Sequence, residues 1–443
     1  MRQYSITPIV CGLLISCSTW ADTLPEAIKD GLKLNPEVRA ELAKYRAYRY
    51  DLREGKADYY LQIDLNAGIG YEEYKSPTVS KAKGLTRQEL AIKLTQNLFR
   101  GFATQNNVKR LQARLDAQGL YAESVVSDIA LEISKAYLDI LRSQELVQLG
   151  KLNVENHKKI FQQIKMRFDS GLSDEVELDQ AKARYALAQS NLLAQKSKLA
   201  DALARYHRLV GHDAPRELSL PTFDYKIPPD LETAIKIALT DHPRLLSAYA
   251  DVAEAKAQAF ANKGNFYPTV NLEVEKRWDR NTNGVKGSTE DFQAMVRMNY
   301  NLYKGGADEA KYKSTVALYQ QAMEIRNRAR REVMEDLRYA WDTMTMAQNQ
   351  LQYLDQHIQL TRSTLLGYRK QFALGRRSLL DLLNTENEYN QALTKMTETR
   401  YDLLQAQYRV VADMGHLLDM LKINYDVKTA AEKAEVESSY LKE

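Results

Sequence analysis

The segment LPEAIKDGLKLNPEV, residues 24–38, decides the fold, because a second version of it, LETAIKIALTDHPRL, occupies residues 231–245. Two further segments recur at a similar spacing: NLFRGFA at 97–103 returns as NLYKGGA at 301–307, and RFDSG at 167–171 returns as QFALG at 371–375. A period of about two hundred residues is far longer than the ~20–50 residues of solenoid repeats. The chain is therefore predicted to contain two copies of one multi-element unit.

These matches divide the chain into four parts. Residues 1–21 precede the first copy, which we place at 22–223, and the second copy follows at 224–423. Residues 424–443 are charged and rich in Ala, Glu and Lys, and we expect them to form a mobile tail.

The N-terminus has the features of a secretory signal peptide. An apolar run at 6–20 is followed by a small residue, Ala21, which predicts cleavage at that point. The run is shorter than the ~20 residues that a membrane-spanning helix needs. The segment LISC also fits a lipoprotein signal, so Cys17 is an alternative candidate for lipidation. Because Cys11 and Cys17 are the two cysteines of the sequence, a chain cut after Ala21 contains no thiol.

Composition excludes several classes of protein. The net charge of +4 is spread over 62 basic and 58 acidic residues without a basic block, so we expect no nucleic-acid partner. After residue 21 no apolar run approaches ~18 residues, which argues against membrane-spanning helices. Only strands could carry such a polar chain, with a mean hydropathy of −0.50, into a membrane.

Two strand pairs are predicted, at about 61–74 with 88–99 and at about 269–279 with 290–303, with loops at 75–86 and 280–289. Apolar and polar residues alternate along each strand, a pattern typical of a half-buried strand and of an outer-membrane barrel wall. Aromatic residues gather at the strand ends, as in the interfacial girdles of such barrels: Tyr59, Tyr60, Phe99, Phe266, Tyr267 and Tyr303 at one end, Tyr74, Trp278 and Phe292 at the other. An amphipathic sheet covering a soluble helical core is the alternative.

Four strands cannot close a barrel, because the smallest known barrels have ~8. A membrane sheet of this size must therefore pair its edges with other copies of the chain. Three copies would supply twelve strands.

Long helices make up most of each copy. One is predicted at about 104–167, where apolar or small residues alternate at spacings of three and four in a coiled-coil heptad. The pattern breaks at Ser170-Gly171 and resumes from Ala181 to Leu209, and the second copy repeats it from Tyr389 to Val410.

These residues together resemble the TolC-type outer-membrane efflux proteins. The resemblance rests on the repeated AIK-x-x-L-x-x-x-P opening at 27–36 and 234–243, on Phe266-Tyr267-Pro268 before the third strand, and on GRRSLLDLLNTENEYNQA at 375–392. It implies a mixed α+β membrane protein that acts as a homotrimer. Three chains with four strands each would form a twelve-stranded β-barrel in the outer membrane, in contact with its lipid and continued by an α-helical coiled-coil tunnel in the periplasm.

The same resemblance implies a gate at the periplasmic helix turns. Arg377 corresponds to a tip contact, Asp381 to an acidic lining residue and Glu177 to an acidic partner in the first copy. Asn384 stands where an acid is common, and Phe372 stands where a tyrosine hydroxyl can serve. Read without the family, Asp381 is a helix-start residue whose charge suits the helix dipole.

The turns themselves are the expected docking surface for a periplasmic adaptor, or membrane fusion protein. The predicted docking residues are Gly171, Leu172, Ser173, Gly375, Arg376 and Ser378. Because the chain has no energy-coupling motif, we expect an inner-membrane transporter to drive export through this passive duct.

Two kinds of cargo fit this role. The tract at 377–392 resembles the type I secretion branch, in which an ABC transporter exports large unfolded proteins, often adhesins or toxins. The alternative is multidrug efflux with a proton-driven pump, which lipidation of Cys17 would favour. A trimeric periplasmic coiled-coil scaffold is a third possibility.

No enzyme is predicted. The six histidines are scattered without the spacing of a metal site on one helix face, and Asp169-Ser170-Gly171 opens no EF-hand loop. We therefore expect no catalytic residue, metal or cofactor.

Overall fold

The computed structural model describes residues 23–76, 79–215 and 217–440. The predicted signal peptide at 1–21, with the lipidation candidate Cys17, lies outside the described residues. Two helices, two strands and two long helices follow one another, and this order then recurs. The first set is α1 (Leu24–Leu34), α2 (Pro36–Ala57), β1 (Gln62–Ser76), β2 (Val79–Arg100), α3 (Ala103–Asp169) and α4 (Glu175–Val210). The second set is α5 (Leu231–Asp241), α6 (Pro243–Lys263), β3 (Thr269–Arg280), β4 (Ser288–Asn299), α7 (Ala307–Ala373) and α8 (Leu379–Asp413), after which come α9 (Leu417–Met420) and α10 (Val427–Tyr440).

The repeated opening segment forms the same capped helix pair in both copies. Asn35 accepts a hydrogen bond from the amide of Glu37 at 2.8 Å, and Pro36 occupies the first turn of α2. His242 Nδ1 accepts from the amide of Arg244 at 3.2 Å, and Pro243 occupies the first turn of α6. Since proline is tolerated where the amide has no helical partner, each N-cap and proline fix where the second helix begins.

The four strands form one antiparallel sheet in the order β1-β2-β3-β4. The register aligns Ile63, Leu94, Val274 and Ala294 across it, and the next row aligns Asp64, Lys93, Glu275 and Gln293. Because directly opposed residues share a face, one face of the sheet is apolar and the other is polar and charged. The predicted alternation is therefore confirmed.

The first hairpin is longer than its alternation indicated. Residues 84–86, which we predicted in a loop, pair with residues 71–73, and β2 begins at Val79, nine residues earlier than expected. Backbone hydrogen bonds continue between the two strands there, although apolar and polar residues no longer alternate along the sequence. In the second hairpin β4 ends at Asn299 instead of 303, because its partner strand β3 begins at Thr269, the residue paired with Asn299.

The apolar face also carries charged residues towards the turn at 281–287, among them Lys276 and Glu290. Lys276 is aligned with Ile92 and Phe292, and its Nζ is 2.9 Å from Glu290 and 5.6 Å from the ring centre of Trp278. The Lys276 ammonium group therefore has an opposite charge and an aromatic face as its partners.

Helix α3 matches its predicted range of about 104–167 to within two residues. Both α3 and α7 contain 67 residues, so each is about 100 Å long at ~1.5 Å per residue. Helix α7 packs on α8, α6 and α5. Buried residues recur along α7 at spacings of three and four: Val333, Leu337, Ala340, Met344 and Ala347. The breaks at Gly171 and Gly375 fall where the repeated sequence placed them.

The chain divides into two compact units. One contains residues up to Gly31 and Ile133–Phe223, with Ile28, Ile133 and Tyr206 buried in its core. In this unit Tyr137 donates a hydrogen bond from its hydroxyl to the carbonyl oxygen of Ser219 at 2.8 Å. The other unit contains Leu32–Glu132 and Asp224–Glu443 and includes the sheet, α7 and α8.

The segment at 424–443, which we predicted to be a mobile tail, contains a helix in the part that the structure describes. Residues from Val427 form α10, which contacts α2. Val427 and Ala431 are buried, one helical turn apart, and Arg49 of α2 forms ion pairs with Glu432 and Glu435. Two buried apolar residues hold one face of α10 against α2. The charged composition of this segment did not indicate them.

Within the described ranges, none of the helices is both long and apolar enough to cross a membrane.

Candidate functional site at the helix turns

The turn between α7 and α8 is closed by backbone hydrogen bonds around Gly375. The amide of Arg376 donates to the carbonyl of Gln371 at 2.9 Å, and the amide of Gly375 donates to that of Phe372 at 3.0 Å. Gly375 has φ +70°, a conformation that favours glycine. The turn therefore has one defined shape, and it fixes where the side chains of the next helix start.

Ser378 and Asp381 form the N-terminus of α8. The Ser378 hydroxyl accepts a hydrogen bond from the amide of Asp381 at 3.1 Å, which makes Ser378 the N-cap. The Asp381 side chain is about half exposed and lies in the first turn, where a carboxylate is favoured by the helix dipole.

Arg377 is held between two side chains of its own hairpin. Its Nε lies 3.4 Å from Asp381 Oδ2, and its guanidinium carbon lies 3.9 Å from the ring centre of Tyr368. Cation–π contact and ion pairing orient the guanidinium along the turn. The charge of Asp381 is therefore partly compensated within one chain.

The remaining predicted residues of this turn differ in exposure. Phe372 is buried, whereas Asn384, Gly375 and Arg376 are exposed. Leu374 is 71% exposed and was not among the predicted residues. An exposed apolar side chain at the end of a long helix suits contact with another protein.

The turn between α3 and α4 has a similar construction. The amide of Leu172 donates to the carbonyl of Arg167 at 2.8 Å, and Gly171 has φ +73°. Asp174 caps α4 by accepting from the amide of Glu177 at 2.8 Å. The Ser173 hydroxyl donates to the Glu177 carboxylate, so both predicted residues contribute to this cap.

The structure thus brings Arg377, Ser378 and Asp381 together in one turn, and Ser173 and Glu177 together in the other. Leu172 is 78% exposed at the first turn, and Val176, which we did not predict, is also exposed.

Sequence reasoning missed a buried ion pair behind the second turn. Glu386 of α8 is 2% exposed, and its Oε2 lies 2.5 Å from Nη2 of Arg369 on α7. Arg369 stands four residues before the end of α7, and Glu386 stands seven residues after the start of α8. Opposite charges within two turns of the break between the helices were the signal available in the sequence.

The polar face of the sheet carries a second charged cluster. Glu273 accepts from Lys93 and from Arg297 at 3.1 and 3.2 Å, and all three lie on neighbouring strands. Such cross-strand pairs stabilise the sheet and keep its polar face charged.

Among the residues with described positions, no group of three or more His, Cys, Asp or Glu side chains is arranged to hold a metal ion.

Comparison with known proteins identifies the family. The model of the outer membrane efflux protein family matches residues 27–212 and 234–416, which is most of the chain. Outer membrane protein TolC of Salmonella enteritidis is 22% identical over 445 residues, covering 96% of this chain and 89% of the relative. The alkaline protease secretion protein AprF of Pseudomonas aeruginosa is 22% identical over 416 residues, covering 90% of this chain and 85% of AprF.

A solved structure shows the same fold. The structure of CusC, described as forming a transmembrane channel, aligns with a TM-score of 0.81 at 15% identity, covering 89% of this chain and 92% of CusC. The expected mixed α+β class, with four strands and long helices in each chain, is confirmed. Since the matches are outer-membrane channels, the expectation of a non-enzymatic outer-membrane protein also holds, and a soluble periplasmic scaffold is set aside. The chain belongs to the outer membrane efflux protein family and is a TolC-type outer-membrane channel protein.

Proposed function

We propose that three copies of the chain form the exit duct of a type I secretion system. In this role an inner-membrane ABC transporter and a periplasmic adaptor deliver an unfolded protein, such as a large adhesin or toxin, which passes passively to the outside.

The open four-stranded sheet is the observation that supports an assembly of three copies. Strands β1 and β4 stand at the two ends of the strand order, so each has one edge without a partner strand in the sheet that the structure describes. Unpaired edges exposed to lipid are unfavourable, because no water is present to satisfy their amide and carbonyl groups. Pairing β4 of one copy with β1 of the next satisfies every edge, and three copies give a barrel of twelve strands.

The sequence of the second helix turn supports an unfolded protein as the cargo. The tract at 377–392 resembles the type I secretion branch, and the relative AprF is named for secretion of an alkaline protease. Multidrug efflux with a proton-driven pump remains the second candidate, because the matching family model describes efflux proteins.

In the proposed duct the helix turns act as gate and docking surface. Asp381 supplies acidic charge to a narrow aqueous pore, Arg377 sets how much of that charge is compensated, and Glu177, Phe372 and Asn384 contribute to the same region. Repelling carboxylates from three copies around one pore favour cations. The exposed turns, from Gly171 to Ser173 and from Gly375 to Ser378, present the surface for the adaptor.

The test is a quantitative comparison of surface and medium proteins from cells with and without this gene. We expect loss of one very large secreted protein, with its precursor retained inside, and recovery of secretion when the gene is restored. An unchanged set of secreted proteins, together with increased dye accumulation in the deletion strain, would replace secretion with drug efflux.

A further inference from the structure

The turn between β3 and β4, residues 281–287, is folded into one defined shape. Four of its residues have positive φ angles, and all four are of the types that tolerate them best: Asn281, Asn283, Gly284 and Gly287. The amide of Asn281 donates to the carbonyl of Gly287 at 2.8 Å, and the amide of Val285 donates to the carbonyl of Thr282 at 3.1 Å. The β3–β4 turn is therefore a folded segment that keeps a fixed relation to its strands.

The first hairpin extends beyond the second at this end of the sheet. Arg280, the last residue of β3, is level with Ile69 of β1 across the intervening β2. Strand β1 continues past Ile69 to Ser76. This extension of β1 carries Glu72 and Tyr74, whose side chains lie on the polar face because successive residues of a strand point to opposite faces.

The β3–β4 turn leans onto the extension of β1. The amide of Asn283 donates to Glu72 Oε2 at 3.1 Å, and a Cβ atom added to Gly284 would lie 3.2 Å from Cβ of Tyr74. Since β2 lies between β3 and β1, the turn spans two strand spacings, about 10 Å, to make these contacts. Both contacted side chains are on the polar face, so the turn crosses β2 on that face.

Glu72 is a contact that can be removed without disturbing the strands. Its carboxylate also pairs with Arg87, whose Nη1 is 3.0 Å away, but Arg87 forms a second ion pair with Glu89 and keeps that partner when Glu72 is absent. The start of the turn is held separately, because Asn281 Nδ2 donates to the carbonyl of Thr86 at 2.9 Å. Loss of Glu72 should therefore release the far side of the turn alone.

We propose that the β3–β4 turn is a size filter at the outer mouth of the channel, held over the mouth by Glu72. This inference rests on the trimer of the proposed function, in which the polar face of the sheet lines the lumen. Each strand joins its helix at one end of the sheet and its hairpin partner at the other. In an outer-membrane channel whose helices lie in the periplasm, the hairpin turns therefore face the outside.

The filter would act on solutes that approach from the medium. Three copies supply three turns, and each reaches about 10 Å across the wall on the lumen side. The width of an opening and the groups that line it decide which solutes pass. Small hydrophilic solutes should enter the lumen freely, whereas wide polymers should be held back at the turns.

Thiol labelling of intact cells tests the filter in the full-length protein. The native cysteines precede residue 21, so a chain cut after Ala21 has no thiol besides the one introduced. Asn66→Cys places a reporter on the polar face of β1, about 20 Å deeper than Glu72 at ~3.3 Å per residue. Val285→Cys, in the exposed part of the turn itself, is the reference. The two probes are a small charged maleimide and a maleimide attached to a long polyethylene glycol chain.

The ratio of the two labelling rates measures the filter. After each rate is divided by that of Val285→Cys, we expect the long probe to label Asn66→Cys at most about a tenth as fast as the small probe. Glu72→Ala should raise the rate of the long probe about fivefold or more and leave the rate of the small probe unchanged. Glu73→Ala is the matched control, because it removes an exposed carboxylate from the next residue, on the opposite face.

Two results would overturn the filter. One is equal labelling of Asn66→Cys by both probes in the parent protein. The other is an equal effect of Glu72→Ala and Glu73→Ala on the long probe.

A disulfide tests the position of the turn without Glu72→Ala, in case that variant does not reach the membrane. Tyr74→Cys with Gly284→Cys would place two Cβ atoms 3.2 Å apart, close to the ~3.5–4.5 Å of disulfides. We expect more than half of the double variant to form the bond in intact cells after mild oxidation, and neither single variant to lose its free thiol. Absence of the bond in protein that reaches the outer membrane would overturn the filter.

The small probe separates this inference from the proposed function. If it labels Val285→Cys but never Asn66→Cys, even with Glu72→Ala, the polar face does not line an open lumen, and the proposed assembly is overturned together with the filter. If it labels Asn66→Cys and the long probe does so equally fast, the filter alone is overturned and the proposed duct remains.

Discussion

Arg369 of α7 and Glu386 of α8 form an ion pair in which Nη2 and Oε2 are 2.5 Å apart and Glu386 is almost completely buried. The arginine is 44% exposed, so the pair joins the surface of the hairpin to its interior. A buried carboxylate is stable only when opposite charge and hydrogen bonds compensate for its lost hydration.

The two partners should therefore differ in their sensitivity to substitution. Arg369→Met removes the cation and leaves the buried charge of Glu386, and we expect it to destabilise the helical hairpin by about 1–3 kcal/mol, a range reduced because Arg369 is partly solvated. Glu386→Gln keeps the shape and removes the buried charge, so its effect should be smaller. Thermal unfolding followed by circular dichroism, and the rate of tryptic cleavage near the turn, would measure the difference.

The double variant Arg369→Met with Glu386→Leu is the control. It replaces both charges by apolar groups of similar size, and it should recover most of the stability lost in Arg369→Met. Equal destabilisation by Glu386→Gln and Arg369→Met would contradict the asymmetry.

His242 should make the stability of the α5–α6 turn depend on pH. Burial, with a smaller effect of the Arg244 charge, lowers the pKa of His242 from 6.5 to about 4. Only the neutral ring can accept the hydrogen bond from the amide of Arg244, so the N-cap is present only while His242 is unprotonated.

The direction in which stability changes with pH follows from proton binding at His242. Between pH 6.5 and about 4 the unfolded chain binds a proton at His242 that the folded chain does not. Stability is therefore fully present above pH 6.5 and is lost as the pH falls through this window, by an amount on the order of 1–3 kcal/mol. Amide hydrogen exchange of α6 should accelerate from pH 6.5 to 4 beyond the intrinsic pH effect.

The first copy supplies the control for this prediction. Asn35 caps α2 at the equivalent position, so His242→Asn should preserve the cap and remove the pH dependence of exchange in α6. A His242→Asn protein with the same pH dependence as the parent would show that another group titrates.

Gly375 should be harder to replace than a glycine inside the helix. Because its φ is +70°, Gly375→Ala should destabilise the hairpin by about 1–2 kcal/mol. Gly367→Ala, at a helical site with no heavy atom within 4 Å of the added methyl group, should stabilise the helix by up to ~1 kcal/mol. Opposite shifts in the midpoint of thermal unfolding are expected, and a stabilising Gly375→Ala would contradict the proposed turn geometry.

The sequence predicted most of the fold because each element has a strong periodic pattern. The seven-residue repeat located α3 to within two residues, and the repeated segments placed the breaks after α3 and α7 at Gly171 and Gly375. The extension of β2 to Val79 could not be predicted, because backbone pairing with β1 holds it without alternation of side chains. Helix α10 was missed since its contact with α2 depends on only two buried side chains.

The sequence predicted where the residues of the candidate site lie better than it predicted which side chains they contact. The sequence placed Ser378 and Asp381 at the start of a helix, where the structure finds an N-cap and its first turn. The contact of Arg377 with Tyr368 and the pair of Arg369 with Glu386 were not foreseen, because both join residues across the length of a turn whose geometry the sequence does not specify.

Charge at the second turn should control ion preference if this region lines the pore. Asp381→Asn keeps the backbone amide that donates to Ser378, so it changes charge with little effect on the cap, and it should reduce cation preference. Arg377→Met removes the cation 3.4 Å from Asp381 and should increase cation preference, and Asn384→Asp should also increase it by adding three carboxylates per trimer.

Reversal potentials in planar bilayers with a salt gradient measure these shifts, and the opposite signs for Asp381→Asn and Arg377→Met are the decisive result. Asp355→Asn, which removes an exposed acid of α7 away from the turn, is the charge-matched control and should leave the reversal potential unchanged. Raising the salt concentration should shrink the differences among variants, because screening over ~3–10 Å weakens the field of exposed carboxylates. If all variants gave the parental reversal potential, the pore would be narrowest elsewhere, and Asp381 would act only as the first-turn acid of α8.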